Sequence, residues 1–256
     1  MKRLLIVVAV CTAAFALAVP SGAITNGTFD GNQHPNVGAF LVEVRGAWRV
    51  LCTGTLVSPR VVLTASHCTE YADRNGWAIA VSFDPSDVEN TTDIRPGDAI
   101  TNPLYDPQQL FAHDVSLILL DKPARGISPA PIARVGLLDD MKKAGTIDDQ
   151  QYLNVGYGTN EMEVGGGPPY WPFTGDRQYS WTTYSALDKD FIHFLQRENQ
   201  DEGGSCYGDS GGPTFLGTTV VSVVSTGDVP CWATSVNTRV DTQEAHDFLA
   251  PYLALQ

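Results

Sequence analysis

The 256-residue sequence predicts an all-β protein made of many short strands. Two observations lead to this fold class: segments rich in Val, Leu and aromatic residues recur along the chain, and Gly or Pro separates them. No helices are predicted between these segments, which favours barrels or sandwiches over an α/β fold. Because 43% of the residues are hydrophobic and only 18% are charged, the chain can bury a substantial core.

Eight segments are expected to be strands, followed by a helix at the C-terminus. Residues 121–132 contain three prolines and are interpreted as a connector, and residues 159–179 as a surface loop or a flap facing the substrate. The helix is expected to begin at a capping carboxylate, Asp241, and to stop or kink before Pro251. The predicted strands are residues 40–44, 49–57, 61–65, 78–83, 115–120, 151–155, 218–225 and 235–240.

Residues 1–23 have the pattern of a secretory signal peptide. A Lys-Arg pair precedes an apolar region at residues 4–15, and Ala16-Leu17-Ala18 forms an A-x-A cleavage site. A second cleavage site, residues 21–23, ends just before Ile24. Cleavage after Ala18 would leave residues 19–23 as a short propeptide, whereas cleavage after Ala23 would leave none. The apolar run is shorter than the ~20 residues that a membrane-spanning helix needs, so secretion is expected rather than a membrane anchor.

The chain is strongly acidic, with a formal net charge of −13. Lys2 and Arg3 are the only charged residues of the predicted signal peptide, so its removal leaves 14 basic and 29 acidic side chains, a net charge of −15. Such a surface argues against nucleic acids and anionic membranes as partners.

Four cysteines remain after the predicted signal peptide, which contains the fifth, Cys11. An even number in an exported chain indicates disulfides, and three pairings are open. A zinc site is the alternative, but the sequence has neither a C-x-x-C pair nor paired histidines. The four cysteines are Cys52, Cys68, Cys206 and Cys231.

The stretch GGSCYGDSGGP, residues 203–213, has the composition of a loop that exposes a nucleophile. Its glycines allow backbone conformations that place Ser210 in a tight turn, with peptide N–H groups aimed at one point. Acyl transfer needs such fixed donors about 3 Å from the developing oxyanion. Gly, Ser and Asp are also common in ordinary surface turns, so the interpretation depends on a base and an acid elsewhere.

Two further motifs supply those groups. The sequence TASHC contains His67, and HDVSLILL contains Asp114 directly before an apolar segment. With GDSGGP at residues 208–213, the order His, Asp, Ser resembles that of chymotrypsin/trypsin-family serine endopeptidases. The family's TAAHC motif differs here only at Ser66. The resemblance extends from about Ile24 to the C-terminus.

The resemblance implies two Greek-key antiparallel β-barrels with a short C-terminal helix. Residues 24–125 would form the barrel that carries His67 and Asp114, and residues 126–256 the barrel that carries Ser210. It also implies the disulfides Cys52–Cys68 and Cys206–Cys231. By this resemblance the protein is expected to be a monomer whose partners are polypeptide substrates and protein inhibitors. Neither a metal nor a cofactor is expected.

In the roles that the family implies, Ser210 attacks the scissile carbonyl and His67 takes its proton. Asp114 orients His67, and the N–H groups of Gly208 and Ser210 form the oxyanion hole. The base of the substrate pocket falls at Gly204, and Ser225, Gly227 and Ser235 fall on its walls. No acid stands at the base, so uncharged residues before the scissile bond are expected, aromatic or Leu/Met first. Asp201, Glu202 or Asp228 would overturn this expectation if its loop turned into the pocket. Gly204→Asp is expected to shift the preference toward basic residues, short of a full switch where the surrounding loops prevent one.

The family also implies an activation step. Its members begin at I-V-G-G after processing, and the new amine pairs with the aspartate before the nucleophile, here Asp209. Ile24 and Gly27 are the two matching residues of Ile24-Thr25-Asn26-Gly27. Two other functions stay open on sequence alone: an esterase or other acyl hydrolase with the same triad, and a non-catalytic binding homologue.

Overall fold

The computed structural model describes residues 24–109, 112–165, 167–197 and 202–254, so the predicted signal peptide lies outside the described residues. The protein is mostly β and forms two closed, six-stranded antiparallel barrels. None of the helices in the described part of the chain is long and apolar enough to cross a bilayer.

The two barrels have the same Greek-key connectivity. In each, the first three strands are neighbours in chain order, and the sixth, fifth and fourth strands complete the circle back to the first. A short strand, β1 (Thr28–Phe29), adds to the second barrel beside its second strand. The first barrel contains β2 (Val37–Val44), β3 (Ala47–Ser58), β4 (Val61–Thr64), β5 (Ile79–Ser82), β6 (Arg95–Ile100) and β7 (Ser116–Leu120). The second contains β8 (Tyr152–Gly156), β9 (Gln178–Leu187), β10 (Phe191–Leu195), β11 (Pro213–Leu216), β12 (Thr219–Gly227) and β13 (Thr234–Arg239).

Three α-helices and one 3₁₀ turn, Val88–Asn90, accompany the barrels in the described residues. The sequence predicted only the last helix, α3 (Gln243–Leu253), and missed α1 (Ser66–Asn75) and α2 (Leu137–Ala144). Both missed helices are short, with ten and eight residues, and each buries only part of one face.

Two details predicted for α3 are wrong. Its cap is Thr242, whose side chain accepts a hydrogen bond from the N–H of Ala245. Asp241 instead binds Arg239 and accepts a hydrogen bond from the N–H of Leu138. The helix also continues through Pro251 to Leu253. Its apolar face packs against the core there, and this packing offsets the hydrogen bond that proline cannot donate.

The core is continuous between the barrels. One hydrophobic cluster contains Leu41 and Leu117 of the first barrel together with Val155 and Phe215 of the second. The cleft between the barrels is therefore held by packed side chains on both sides.

A fully buried ion pair lies beside this shared core. Arg177 donates through Nε to Asp30, at 2.8 Å, and through Nη1 to the carbonyl oxygens of Val37 and Phe83. These bonds tie the N-terminal segment to both barrels, because Arg177 directly precedes β9 and Val37 begins β2.

Candidate active site

His67 and Asp114 are brought together by strand pairing in the first barrel. His67 is the second residue of α1, which follows β4, and Asp114 precedes β7 by two residues. Because β4 pairs with β7, with Thr64 opposite Ser116, the two side chains meet at the ends of these strands. The Nδ1 atom of His67 lies 2.8 Å from Oδ2 of Asp114, and the backbone N–H of His67 donates to Oδ1 at 2.8 Å. Asp114 is fully buried.

Ser66, the one departure from the family's histidine motif, strengthens this arrangement. Its buried hydroxyl lies 3.0 Å from the carbonyl oxygen of Val115 and 3.2 Å from that of His113. The hydroxyl of Ser116 donates in the opposite direction to the carbonyl of Ala65. The start of α1 is thus bonded to both neighbours of Asp114.

The turn that carries Ser210 requires glycine at two positions. Gly208 and Gly211 have φ angles of +98° and +77°, which side chains rarely adopt. A Cβ atom at Gly211 would lie 2.1 Å from Oγ1 of Thr64, so the turn packs directly onto the first barrel. His67 and Ser210 line the same two cavities, one on either side of them.

Thr53, on β3, fixes this turn from the first barrel. Its hydroxyl donates to the carbonyl of Gly208 at 2.9 Å, and its backbone N–H donates to the carbonyl of Ser210 at 2.9 Å. The same hydroxyl accepts a hydrogen bond from the N–H of Tyr157. Sequence reasoning missed Thr53, because it belongs to no motif and lies 155 positions from Gly208.

The amides of the turn are left as donors. Among the described residues, no acceptor is bonded to the backbone N–H of Gly208 or of Ser210. Thr53 holds the carbonyls of both residues, and their N–H groups remain able to donate to an acceptor that enters the site.

Asp209, between the two donors, points into the protein. Its carboxylate is buried and accepts hydrogen bonds from the N–H groups of Gly158 and Cys206, at 2.8 and 2.9 Å. Burial raises the pKa of Asp209 to about 8, although both hydrogen bonds lower it. No cationic side chain in the described part of the chain forms an ion pair with Asp209.

Ile24, the proposed partner of Asp209, is fully buried. The next residue, Thr25, exchanges two backbone hydrogen bonds with Gly204, each 3.1 Å long. The N-terminal segment therefore lies directly behind the loop that leads to Ser210.

One of the two cavities, called the pocket below, has a volume of about 380 Å³. Ser225 and Gly227 line it as predicted, together with Ser205 and Val224. Gly204 and Ser235 do not line it. Ser235 is buried behind the wall, where its Oγ lies 2.7 Å from Oγ of Ser205 and donates to Asn237 at 2.6 Å.

The space beside Gly204 is filled by a residue that the sequence analysis overlooked. The side chain of Gln196 lies where a side chain on Gly204 would be: a Cβ atom there would be 2.0 Å from Nε2 of Gln196. Gln196 is only 1% exposed and donates to the carbonyl of Ser205 at 2.7 Å. An aspartate at residue 204 would therefore have to move the side chain of Gln196 before its carboxylate could reach the pocket.

The three acids near the pocket in sequence have different positions. Asp228 lines the pocket, but its oxygens accept hydrogen bonds from the N–H groups of Trp232, Ala233 and Thr234. Burial would raise the pKa of Asp228, yet these hydrogen bonds hold it below its ordinary value. Glu202 binds Arg197 and Thr183 and does not line the pocket. Asp201 lies outside the described residues.

The second cavity, called the opposite cavity below, has a volume of about 410 Å³ and lies on the other side of His67 and Ser210. Leu51, Tyr71 and Tyr105 contribute to its walls. Burial raises the pKa of Tyr105 to about 12, and the charges of Asp114 and Glu70 add to this effect.

Both disulfides implied by the resemblance are present, Cys52–Cys68 beside His67 and Cys206–Cys231 beside the pocket. Cys52 and Cys68 also lie within metal-binding reach of His67. Because their sulfur atoms are joined to each other, neither offers the thiolate that zinc requires.

Comparison with known proteins agrees with this architecture. Human heparin binding protein has a similar structure, with a TM-score of 0.67 over 91% of this chain and 98% of that one at 19% identity. Trypsin eta of Drosophila erecta is 21% identical over 82% of each chain. The clotting factor G beta subunit of Tachypleus tridentatus is 26% identical over 69% of this chain, a match that spans only 60% of that protein's length. The family model described as Trypsin matches residues 28–247. The chain therefore belongs to the trypsin family.

Proposed function

We propose that this protein is an active, secreted serine endopeptidase with the triad His67, Asp114 and Ser210. One observation carries the proposal: Asp114 binds Nδ1 of His67 at 2.8 Å while His67 and Ser210 lie together between two cavities. A peptide bond placed across the two cavities meets Ser210 at its carbonyl carbon. Family membership supports the reaction class.

The chemistry follows from these groups. Oγ of Ser210 forms a bond to the scissile carbonyl carbon, and its proton passes to His67 Nε2. The carbonyl electrons move to oxygen, which accepts hydrogen bonds from the N–H groups of Gly208 and Ser210. His67 then gives the proton to the leaving amine as the C–N bond breaks. Water then attacks the acyl-enzyme by the same steps, and the carboxylic acid product is released as its bond to Ser210 breaks.

A preference for uncharged side chains before the scissile bond is part of the proposal. The pocket is lined by Val224 and Val229, and Gln196 occupies the space in which an acidic side chain on residue 204 would lie. A lysine or arginine in the pocket would lose hydration. Asp228 lines the pocket as a carboxylate, but its oxygens already accept hydrogen bonds from three backbone N–H groups. Aromatic residues, Leu and Met are the residues expected directly before the scissile bond.

Secretion and activation by processing belong to the same proposal. The signal-peptide pattern of residues 1–23 and the two disulfides fit an oxidising compartment. The buried Asp209 fits a chain in which a free amine at Ile24 supplies the missing positive charge. A monomer acting on polypeptides and controlled by protein inhibitors is the expected state.

Two alternatives make different predictions. An esterase would hydrolyse short esters without cleaving proteins. A non-catalytic binding homologue would do neither, and the heparin binding of the solved relative is one model for it. Heparin is a polyanion, and a chain with a net charge of −13 is poorly suited to it.

Hydrolysis of casein and of a short ester by the protein beginning at Ile24 separates these functions. We expect cleavage of both, with loss of kcat on the order of 10⁶-fold in Ser210→Ala or His67→Ala and little further loss in the double variant. A fluorophosphonate should label Ser210 alone. Casein cleavage by folded Ser210→Ala would contradict the mechanism, and a peptide library would test the preference at the pocket.

A further inference from the structure

Tyr207 stands between the two cavities of the site. Its side chain lines both the pocket and the opposite cavity and is 51% exposed. It directly precedes Gly208, whose N–H is a proposed oxyanion donor. An exposed aromatic ring in this position can turn toward either cavity unless something restrains it.

Trp171 provides a restraint. Its ring lies edge-to-face with that of Tyr207, with centroids 5.4 Å apart and planes at 89°. The indole Nε1 atom is buried and has no hydrogen-bond partner among the residues that the structure describes. The contact with Tyr207, rather than a hydrogen bond, therefore orients the indole on this side.

The backbone around Trp171 is fastened to both loops that flank the pocket. Thr159 donates its N–H to the carbonyl of Tyr207 at 2.7 Å, and Met162 donates to the carbonyl of Pro230 at 2.9 Å. The arm that carries Trp171 pairs with these residues, because Asn160 donates to Pro172 and Glu163 bonds to Tyr170. The indole thus reaches Tyr207 from a framework that is anchored independently of the ring contact.

We infer that Trp171 is a positioning residue for the part of a substrate that follows the scissile bond, acting by holding Tyr207 as the wall of the opposite cavity. This inference rests on the proposed function: with the residue before the scissile bond in the pocket, the leaving group lies in the opposite cavity. Tyr207 lines both cavities together with His67 and Ser210, and of these three residues it is the one outside the proposed triad. When a peptide binds in the opposite cavity, a side chain that is already restrained loses less conformational entropy. Peptides that extend past the scissile bond therefore bind more tightly, whereas substrates that end at that bond do not benefit.

Two substrates with identical residues before the scissile bond test this inference. One is an internally quenched peptide with several residues after the bond, and the other is a p-nitroanilide with none. The measured quantity is the ratio of kcat/KM for the peptide to that for the anilide. This ratio does not depend on the fraction of folded enzyme, so a loss of stability alone leaves it unchanged.

Trp171→Ala should lower this ratio about two- to tenfold, the range of an aromatic pair, mainly through the KM of the peptide. Trp171→Phe should restore most of it, and Trp171→Leu, which keeps bulk without a ring, should not. The Leu variant decides the question if the Ala variant does not fold. Trp181→Ala, at an exposed tryptophan of β9 that lines neither cavity, is the control and should leave the ratio unchanged.

A double-mutant cycle shows whether the effect passes through Tyr207. Adding Trp171→Ala to Tyr207→Ala should lower the ratio no further. An unchanged ratio in both Trp171→Ala and Trp171→Leu overturns the inference, as do fully additive effects in the cycle. If the wild type cleaves neither substrate, the proposed function itself fails, a result distinct from an unchanged ratio in an active enzyme.

Discussion

The side chain of Gln196 fills the position that a side chain on Gly204 would need. A Cβ atom on Gly204 would lie 2.0 Å from Nε2 of Gln196 and 2.1 Å from its Cγ. Gln196 is held by its hydrogen bond to the carbonyl of Ser205, which lines the pocket. The absence of a side chain at residue 204 and the presence of a long one at residue 196 are therefore two aspects of one packing arrangement.

This relationship predicts that Gly204→Asp and Gln196→Gly act together. Gly204→Asp alone forces two buried groups apart, and we expect a loss of stability of about 1–3 kcal/mol from overpacking without a gain for basic substrates. The double variant has room for the carboxylate and should increase kcat/KM for Arg or Lys before the scissile bond relative to Phe. Peptide profiling and thermal unfolding measure the two effects, and Gln196→Gly is the control. If Gly204→Asp alone prefers substrates with Arg or Lys before the scissile bond, the side chain of Gln196 moves aside easily and this prediction is wrong.

Thr53→Val is predicted to impair catalysis while the backbone N–H of residue 53 still binds Ser210. The variant removes the hydroxyl that binds the carbonyl of Gly208 and leaves the N–H of Tyr157 without an acceptor. We expect kcat to fall about tenfold, less than the ~10²–10³-fold loss on deleting an oxyanion donor.

Thr55→Val is the matched control for that experiment. Thr55 lies two residues further along β3 and is equally buried, and its hydroxyl has no hydrogen-bond partner in the described part of the chain. Replacing an unpartnered buried hydroxyl by a methyl group should be neutral or stabilising. Equal losses of kcat in the two variants would assign the effect to strand packing rather than to Gly208.

The Asp30–Arg177 pair should make the fold sensitive to strong acid. Burial would raise the pKa of Asp30, but hydrogen bonds from His34 and the charge of Arg177 lower it to about 2, against an ordinary value of 3.8. A carboxyl whose pKa is lower in the folded state contributes stability above its unfolded pKa. That contribution should be lost as the pH falls from about 4 through about 2.

Asp30→Asn tests the same pair at neutral pH. It leaves Arg177 as a buried cation without a counter-charge, so the free energy of unfolding should fall by about 3–5 kcal/mol. Asp140→Asn removes the partner of Arg134 from an ion pair whose two side chains are about 60% exposed, and should cost under about 1 kcal/mol. Urea unfolding of the three proteins makes the comparison, and equal stability of Asp30→Asn and wild type would contradict the assignment.

The parts of this protein that the sequence predicted are those encoded locally. His67, Asp114 and Ser210 each lie within a short motif, and the motif order indicated how they meet. All eight predicted strands overlap strands of the structure, because their Val- and Leu-rich segments face the core.

The parts that the sequence did not predict depend on distant contacts or on unusual patterns. Strand β9 has polar residues on its buried face, Gln178, Ser180 and Thr182, so its alternation did not suggest a strand. Gln196 and Thr53 act through backbone carbonyls of other segments, and such partners have no sequence signature. Of the four residues predicted for the pocket, Ser225 and Gly227 consequently lie in its lining and Gly204 and Ser235 do not.

Asp209 is predicted to depend on the amine of Ile24 for its charge. No cationic side chain among the described residues pairs with Asp209, and burial raises its pKa to about 8, which favours the protonated carboxyl at neutral pH. A free amine at Ile24, which titrates near ~8 when unpaired, would form an ion pair that lowers the pKa of Asp209 and raises its own. Because the amine's pKa is then raised in the folded state, the pair is fully present below about pH 8 and is lost as the pH rises through the raised value. Protein beginning at Ile24 should therefore lose activity in the alkaline range, as the amine loses its proton. Protein that retains residues 19–23 should be much less active at neutral pH.

Asp209→Asn separates the two states: it should inactivate the protein that begins at Ile24 and hardly change the protein that retains residues 19–23, whose Asp209 carboxyl is already neutral. Profiles of kcat/KM against pH, with N-terminal sequencing after each assay, provide the measurement. Equal activity of the two proteins without trimming would mean that a group other than the Ile24 amine holds Asp209.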